Sequence, residues 1–214
     1  MKERIILAPA ASETELLRSL AKAGVNSMGW HVMNGPQLAK TALMRSGIAV
    51  EETFLTGQEE PALLFSFLHE IPYFEAASFA DAEALSSALW ILRSLITEDE
   101  ENTLRNKLAG GEFPEKNVAL LSVYETYTSL LRSSNKIDTV GLLRKALDAA
   151  APFDADFLMV KEFPLTPLET SLLSFVSEGD YTELSLAELF GAEEKAVSVA
   201  DYTEGYGTIN EVLH

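Results

Sequence analysis

Cysteine is missing from all 214 residues. Its absence excludes disulfides, thiolate nucleophiles and cysteine metal sites, so nothing calls for an oxidising compartment. No run of 18 apolar residues offers a transmembrane helix. The opening "MKERIILAPA" carries charge at its front, but its apolar stretch of about six residues is too short for a signal-peptide core. A soluble, cytoplasmic protein is expected. Basic residues are also scarce: 16 Lys and Arg face 33 Asp and Glu, a formal charge of −17. Such a surface repels nucleic acid and anionic membranes at long range, although a local basic patch is compatible with it. The apolar fraction of 47% argues against disorder, and the length suits one large domain or one domain carrying an insertion.

The chain contains neither an internal repeat nor a low-complexity linker. "RIILAPAASETELLRSL" reads as a strand over 4–8, a tight loop and a helix from about Ser12 to Ala23. Ser12 and Glu15 have capping-box spacing, and Gly24 stands where a left-handed residue closes a helix. A second strand is expected over 28–33, then a helix with Pro36 in its first turn and Gly47 past its end. From Thr56 to Ala150 the pattern is helical throughout, with helices expected over 58–70, 79–96, 98–109, 115–133 and 139–150. Leu85, Leu89, Leu92 and Leu95 or Ile96 mark one apolar stripe, and Asp138 is placed to cap the last helix. Strands return over 156–161, 181–186 and 196–202. A helix between them is marked by Thr166 as cap, Pro167 in its first turn, Glu169 as capping-box acid and an end near Gly179.

Strand–helix alternation at both ends with helices alone between them implies an α/β fold. Its parallel sheet would be flanked by helices and built from 1–55 and 151–214, with 56–150 as an all-helical insertion. "TINEVLH" starts a helix that the end of the sequence cuts off, so a fragment of a longer chain is expected.

A phosphate-binding loop needs glycines that let backbone N–H groups converge, a lysine for the outer phosphates and a hydroxyl for magnesium. The equivalent stretch here is Pro9, Ala10, Ala11, Ser12, Glu13, Thr14 and Glu15. Glu13 and Thr14 stand where glycine and lysine are required, and Glu13 and Glu15 place negative charge where a phosphate would sit. A capped structural helix explains these residues more simply. In "FLMVKEFPLTPLE", Lys161 occupies the place of a magnesium-binding acid. Glu162 could serve as a general base, but an acid beside a lysine at a strand end is more often a solvated pair. His31, His69 and His214 have no ligand-spaced partners. "TEDEEN" (97–102) suits a solvated helix start, and no GxSxG elbow occurs. No catalytic residue, metal site or cofactor is expected.

Taken in order, "RIILAPAASETELL", "GWHVMNGPQLAKTAL", "NKIDTVGLLRKAL", "DFLMVKEFPLTPLETSLLSFV" and "YTEGYGTINEVL" resemble the amino-terminal part of the B subunit of AddAB-type helicase-nucleases, relatives of superfamily 1 helicases. The resemblance spans most of the chain. It implies a P-loop NTPase-like domain of helicase 1A type, truncated at its carboxyl end, with a 1B-like helical insertion over 56–150. The departures at Glu13, Thr14 and Lys161 imply that the fold is kept without the ATPase. The implied role is a non-catalytic module of a DNA double-strand-break repair assembly, whose PD-(D/E)XK nuclease domain would lie downstream. Its partners would be other domains of a longer chain and a helicase-nuclease partner subunit, with DNA bound only in the full assembly and no membrane. Other readings are a stand-alone α/β enzyme or small-ligand binder using Glu162, Asp201 and Glu204 at the strand ends, and a structural protein-interaction domain.

Overall fold

The computed structural model describes residues 2–9, 12–26, 28–95 and 112–190. It has an α/β architecture that divides into two compact units. One unit is made from the described residues of Met1–Asn34, Asp154–Pro164 and Asp180–His214, the other from those of Gly35–Phe153 and Leu165–Gly179.

The first unit holds a parallel sheet. Strands β1 (Arg4–Leu7), β2 (Trp30–Met33), β5 (Asp156–Val160) and β6 (Tyr181–Leu184) lie in the order β2-β1-β5-β6. Ile6 sits beside Val32 on one side and Leu158 on the other. Because strand side chains alternate in direction, these residues share one face. Helix α1 (Glu13–Lys22) covers that face with Leu16 and Leu20, one turn apart, and the short α8 (Leu186–Leu189) adds Leu189. Helix α1 closes as expected: Gly24 takes φ +74, and the Val25 N–H donates to the Leu20 carbonyl at 3.0 Å.

Its start differs from expectation. Ser12 has helical backbone angles (φ −86, ψ −10), its side chain makes no cap bond, and its N–H donates to the Pro9 carbonyl at 2.9 Å. A capping side chain reaches the third helical N–H only from extended backbone, so the Ser12–Glu15 capping box does not form. The strand expected over 181–186 stops at Leu184, because Ser185 and Glu188 form a capping box that starts α8. The strand expected over 196–202, the helix over 98–109, the acidic run 97–102 and the terminal "TINEVLH" lie outside the described residues.

The second unit is helical: α2 (Gly35–Arg45), α3 (Glu59–Leu68), α4 (Phe79–Leu95), α5 (Pro114–Ser133), α6 (Thr139–Ala149) and α7 (Pro167–Val176). Leu64 and Phe67 of α3, Leu85 and Leu89 of α4, and Val123 and Tyr127 of α5 form one buried cluster, with Leu92 partly buried against it. Helices α2, α6 and α7 pack together, and small buried residues on α2 and α6 (Ala39, Ala42, Ala146) suit the close approach. The capping box of Thr166 and Glu169 and the Asp138 cap are both present. One correction concerns the helices-only reading. Lys136–Ile137 forms a short strand, β4, paired in parallel with β3 (Thr53–Phe54).

Candidate functional site

In the first unit, β1 and β5 are parallel neighbours, so the segments leaving their carboxyl ends run side by side, where open parallel sheets place ligands. The described residues of the segment after β1 include no glycine and no lysine. Pro9 has no N–H, the Ser12 N–H is used on Pro9, and Glu13, Thr14 and Glu15 are exposed on the first turn of α1. Ala10 and Ala11 lie outside the described residues.

After β5, both polar residues are engaged locally. Lys161 reaches Glu188 at 3.7 Å, and its N–H donates to the Leu184 carbonyl at 2.9 Å. The Glu162 carboxylate accepts the Leu186 N–H at 3.0 and 3.1 Å, at the start of α8. Hydrogen bonds from the Ser185 backbone and hydroxyl, with Lys161 nearby, hold the Glu188 carboxyl below its usual range. Lys161 and Glu162 are therefore not a solvated pair with each other. Each fastens the end of β5 to the segment after β6.

Among the described residues, the remaining candidates do not converge. His31 Nε2 lies 3.4 Å from Glu3, and His69 Nδ1 lies 3.0 Å from the Glu75 carbonyl. His214, Asp201 and Glu204 are outside the described residues, and among the described residues no group of three metal-ligating side chains forms.

The second unit contains a polar cluster that sequence reading identified only as a helix cap. Asp138 is 3% exposed and Arg93 6%, which places a full ion pair out of water. Asp138 Oδ1 accepts the Gly141 N–H at 2.8 Å, while Oδ2 accepts from Arg93 Nη1 and from the Tyr127 hydroxyl at 3.1 Å. The Arg93 guanidinium lies 5.4 Å from the centre of the Tyr127 ring, and its Nε–H is buried with no partner. Burial lowers the Arg93 pKa and raises that of the Tyr127 hydroxyl, each against loss of hydration by the charged form. Glu60 faces Tyr127 and Ser86, and burial raises its carboxyl pKa. No local signal marks this cluster, because Arg93 of α4 and Asp138, the cap of α6, lie 45 residues apart and meet only through tertiary packing.

A groove of about 550 Å³ opens beside Asp138. Its charges partly cancel: Arg93 pairs with Asp138, and Lys145 with Glu52 at 2.7 Å. Arg132, Lys136 and Arg144 also line it, against one further acid, Asp148. No family model matches the chain, and no curated protein matches it.

Proposed function

We propose that this chain is a non-catalytic, helicase-like module of a DNA double-strand-break repair helicase-nuclease, belonging with the amino-terminal region of AddAB-type B subunits. In this reading the sheet is a P-loop NTPase-like domain of 1A type, the helices over 56–150 are its 1B-like insertion, and the phosphate loop is degenerate. The observation that carries the reading is the β1–α1 junction beside the end of β5 in a parallel sheet. This layout is compatible with a nucleotide site, and the residue types depart from what such a site uses. Pro9 and the exposed Glu13 and Glu15 stand where an anion needs donors, and Lys161 stands where a metal needs an acid.

The module then acts by positioning a partner subunit or other domains while those carry out the reaction. DNA is engaged only in the full assembly, since the net charge of −17 opposes its approach to this chain alone. The test is DNA-end degradation by the natural full-length assembly. Glu13→Ala and Lys161→Ala should leave degradation and subunit association unchanged, whereas Leu16→Asp, which breaks the α1 contact with the sheet, should abolish both. Loss of activity with a Glu13 or Lys161 substitution that leaves association intact would contradict the non-catalytic reading. If the natural protein neither associates with a nuclease subunit nor processes DNA ends, the family reading fails.

A further inference from the structure

We propose that Glu60, Tyr127 and Asp138 form a proton-sensitive relay, in which neutral Glu60 donates its hydrogen to Tyr127 while the hydrogen of Tyr127 goes to Asp138. Ionisation of Glu60 draws that second hydrogen away from the Arg93–Asp138 pair. All four residues belong to the helical unit, so the relay stands independently of the proposed function.

One hydrogen has to serve two acids. A tyrosine hydroxyl has a single hydrogen to give. That of Tyr127 goes to Asp138 Oδ2 at 3.1 Å, an oxygen that also accepts from Arg93 Nη1. The Glu60 carboxyl is hydrogen-bonded to the same hydroxyl and to the Ser86 side chain. With its hydrogen committed to Asp138, Tyr127 offers Glu60 only its oxygen, and a carboxyl donates to an oxygen only while it carries a proton. Protonated Glu60 therefore completes both bonds at once, whereas ionised Glu60 competes with Asp138 for one hydrogen.

The surroundings of Glu60 agree with this assignment. An acid in the first turn of a helix ordinarily helps as a charge. In α3 that part is taken by Glu59, which accepts the Thr56 N–H at 2.8 Å and the Thr56 hydroxyl at 2.7 Å. Glu60 instead faces Ser86 and Arg93 of α4 and Tyr127 of α5. Burial raises its carboxyl pKa against the opposing influence of these three groups. Tyr127 is fully buried, and burial raises the pKa of its hydroxyl, so the hydroxyl keeps its hydrogen and only turns it. Glu60 is half-buried, and the proton it loses passes to water.

The direction of the turn follows from what each carboxylate has besides Tyr127. Asp138 holds the Arg93 guanidinium and the Gly141 N–H at 2.8 Å. Ionised Glu60 has the Ser86 side chain, and the less satisfied carboxylate draws the shared hydrogen. Asp138 then loses one donor on Oδ2. Because Asp138 also caps α6 and lines the groove beside it, the protonation state of Glu60 reaches both.

The test is carboxyl 13C NMR of the intact chain, labelled at Asp and Glu and followed through a pH titration. Glu60 should titrate above the ordinary 4.5. The Asp138 Cγ signal should show a step at the same pH as Glu60, separate from the titration of Asp138 itself. Glu60→Gln should abolish that step. Tyr127→Phe, which removes only the hydroxyl, should shrink it well below the wild-type amplitude while Glu60 still titrates. Circular dichroism and thermal melting establish that each variant is folded. A wild-type Asp138 signal with no step at the Glu60 midpoint overturns the proposal without recourse to any variant. A step that survives Glu60→Gln, a step undiminished in Tyr127→Phe, or a Glu60 midpoint at or below 4.5 also overturns it.

Discussion

Arg93 of α4 and Asp138, the N-terminal cap of α6, form a buried ion pair across 45 residues of sequence. Asp138 thus serves two structures at once, closing the first turn of α6 through Gly141 and neutralising a guanidinium that is almost wholly out of water. A buried pair often contributes little net stability, because desolvation offsets the attraction. Removing one partner is severe, because it strands the other charge.

Arg93→Met should therefore destabilise the chain by about 3 to 5 kcal/mol. Asp138→Asn, which retains an acceptor for Gly141, should cost a similar amount by leaving Arg93 unmatched. The double variant should lose much less than the sum of the two. Urea denaturation of all four proteins measures the cycle, and simple additivity would contradict the coupling.

Glu60 gives a pH-dependent prediction. Its folded-state pKa is raised, chiefly by burial, so its ionised form is the less favourable one in the fold. The penalty is present above the folded pKa, shrinks as pH falls, and is gone below the unfolded value near 4.5. Glu60→Gln, which keeps a polar group of the same shape facing Tyr127 and Ser86, should raise the denaturation midpoint at pH 7 and have no such effect at pH 4. An equal shift at both pH values would show that the gain does not come from titration.

Gly35, the first residue of α2, is intolerant of a side chain for steric reasons. A Cβ there would lie 2.3 Å from Glu169 Oε1 and 2.6 Å from its Cγ. Glu169 cannot move freely, because its carboxylate accepts from the Thr166 N–H at 2.9 Å and from the Thr166 hydroxyl at 2.8 Å. Gly35→Ala should cost about 1 to 3 kcal/mol by overpacking, despite alanine's better helix propensity. A stabilised Gly35→Ala protein in a thermal melt would contradict this contact.

Two helix starts that look alike in sequence should respond differently to substitution. Thr166→Ala removes a working capping box and should cost about 1 kcal/mol. Ser12→Ala removes a hydroxyl that caps nothing and should change stability by less than about 0.5 kcal/mol. Equal losses would restore the cap at Ser12.

The contrast also shows what could be read from sequence alone. Thr166-Pro167-x-Glu169, Asp138 and Gly24 act within four or five residues of themselves, so their spacing specified the helix ends. Ser12 had the right spacing, but the backbone turn that bonds it to Pro9 overrides the side chain. Lys136–Ile137 is too short to carry a strand period, and only its partner at Thr53–Phe54 defines it. The departure from phosphate-loop residue types at Glu13 and Thr14 is legible, since it depends on residue type alone. The engagement of Glu162 with Leu186, the Arg93–Asp138 pair and the groove beside it depend on tertiary packing, and no local pattern encodes them.

The most direct test of the degenerate-loop reading is calorimetric titration of ATP with magnesium, together with a phosphate-release assay. The expected result is no saturable binding below about 100 μM, a level near −5.5 kcal/mol, and phosphate release no faster than in buffer. Saturable binding below that level, or ATP hydrolysis lost on substitution of Glu13 or Lys161, would contradict the reading of this sheet as a nucleotide-binding layout without the nucleotide site.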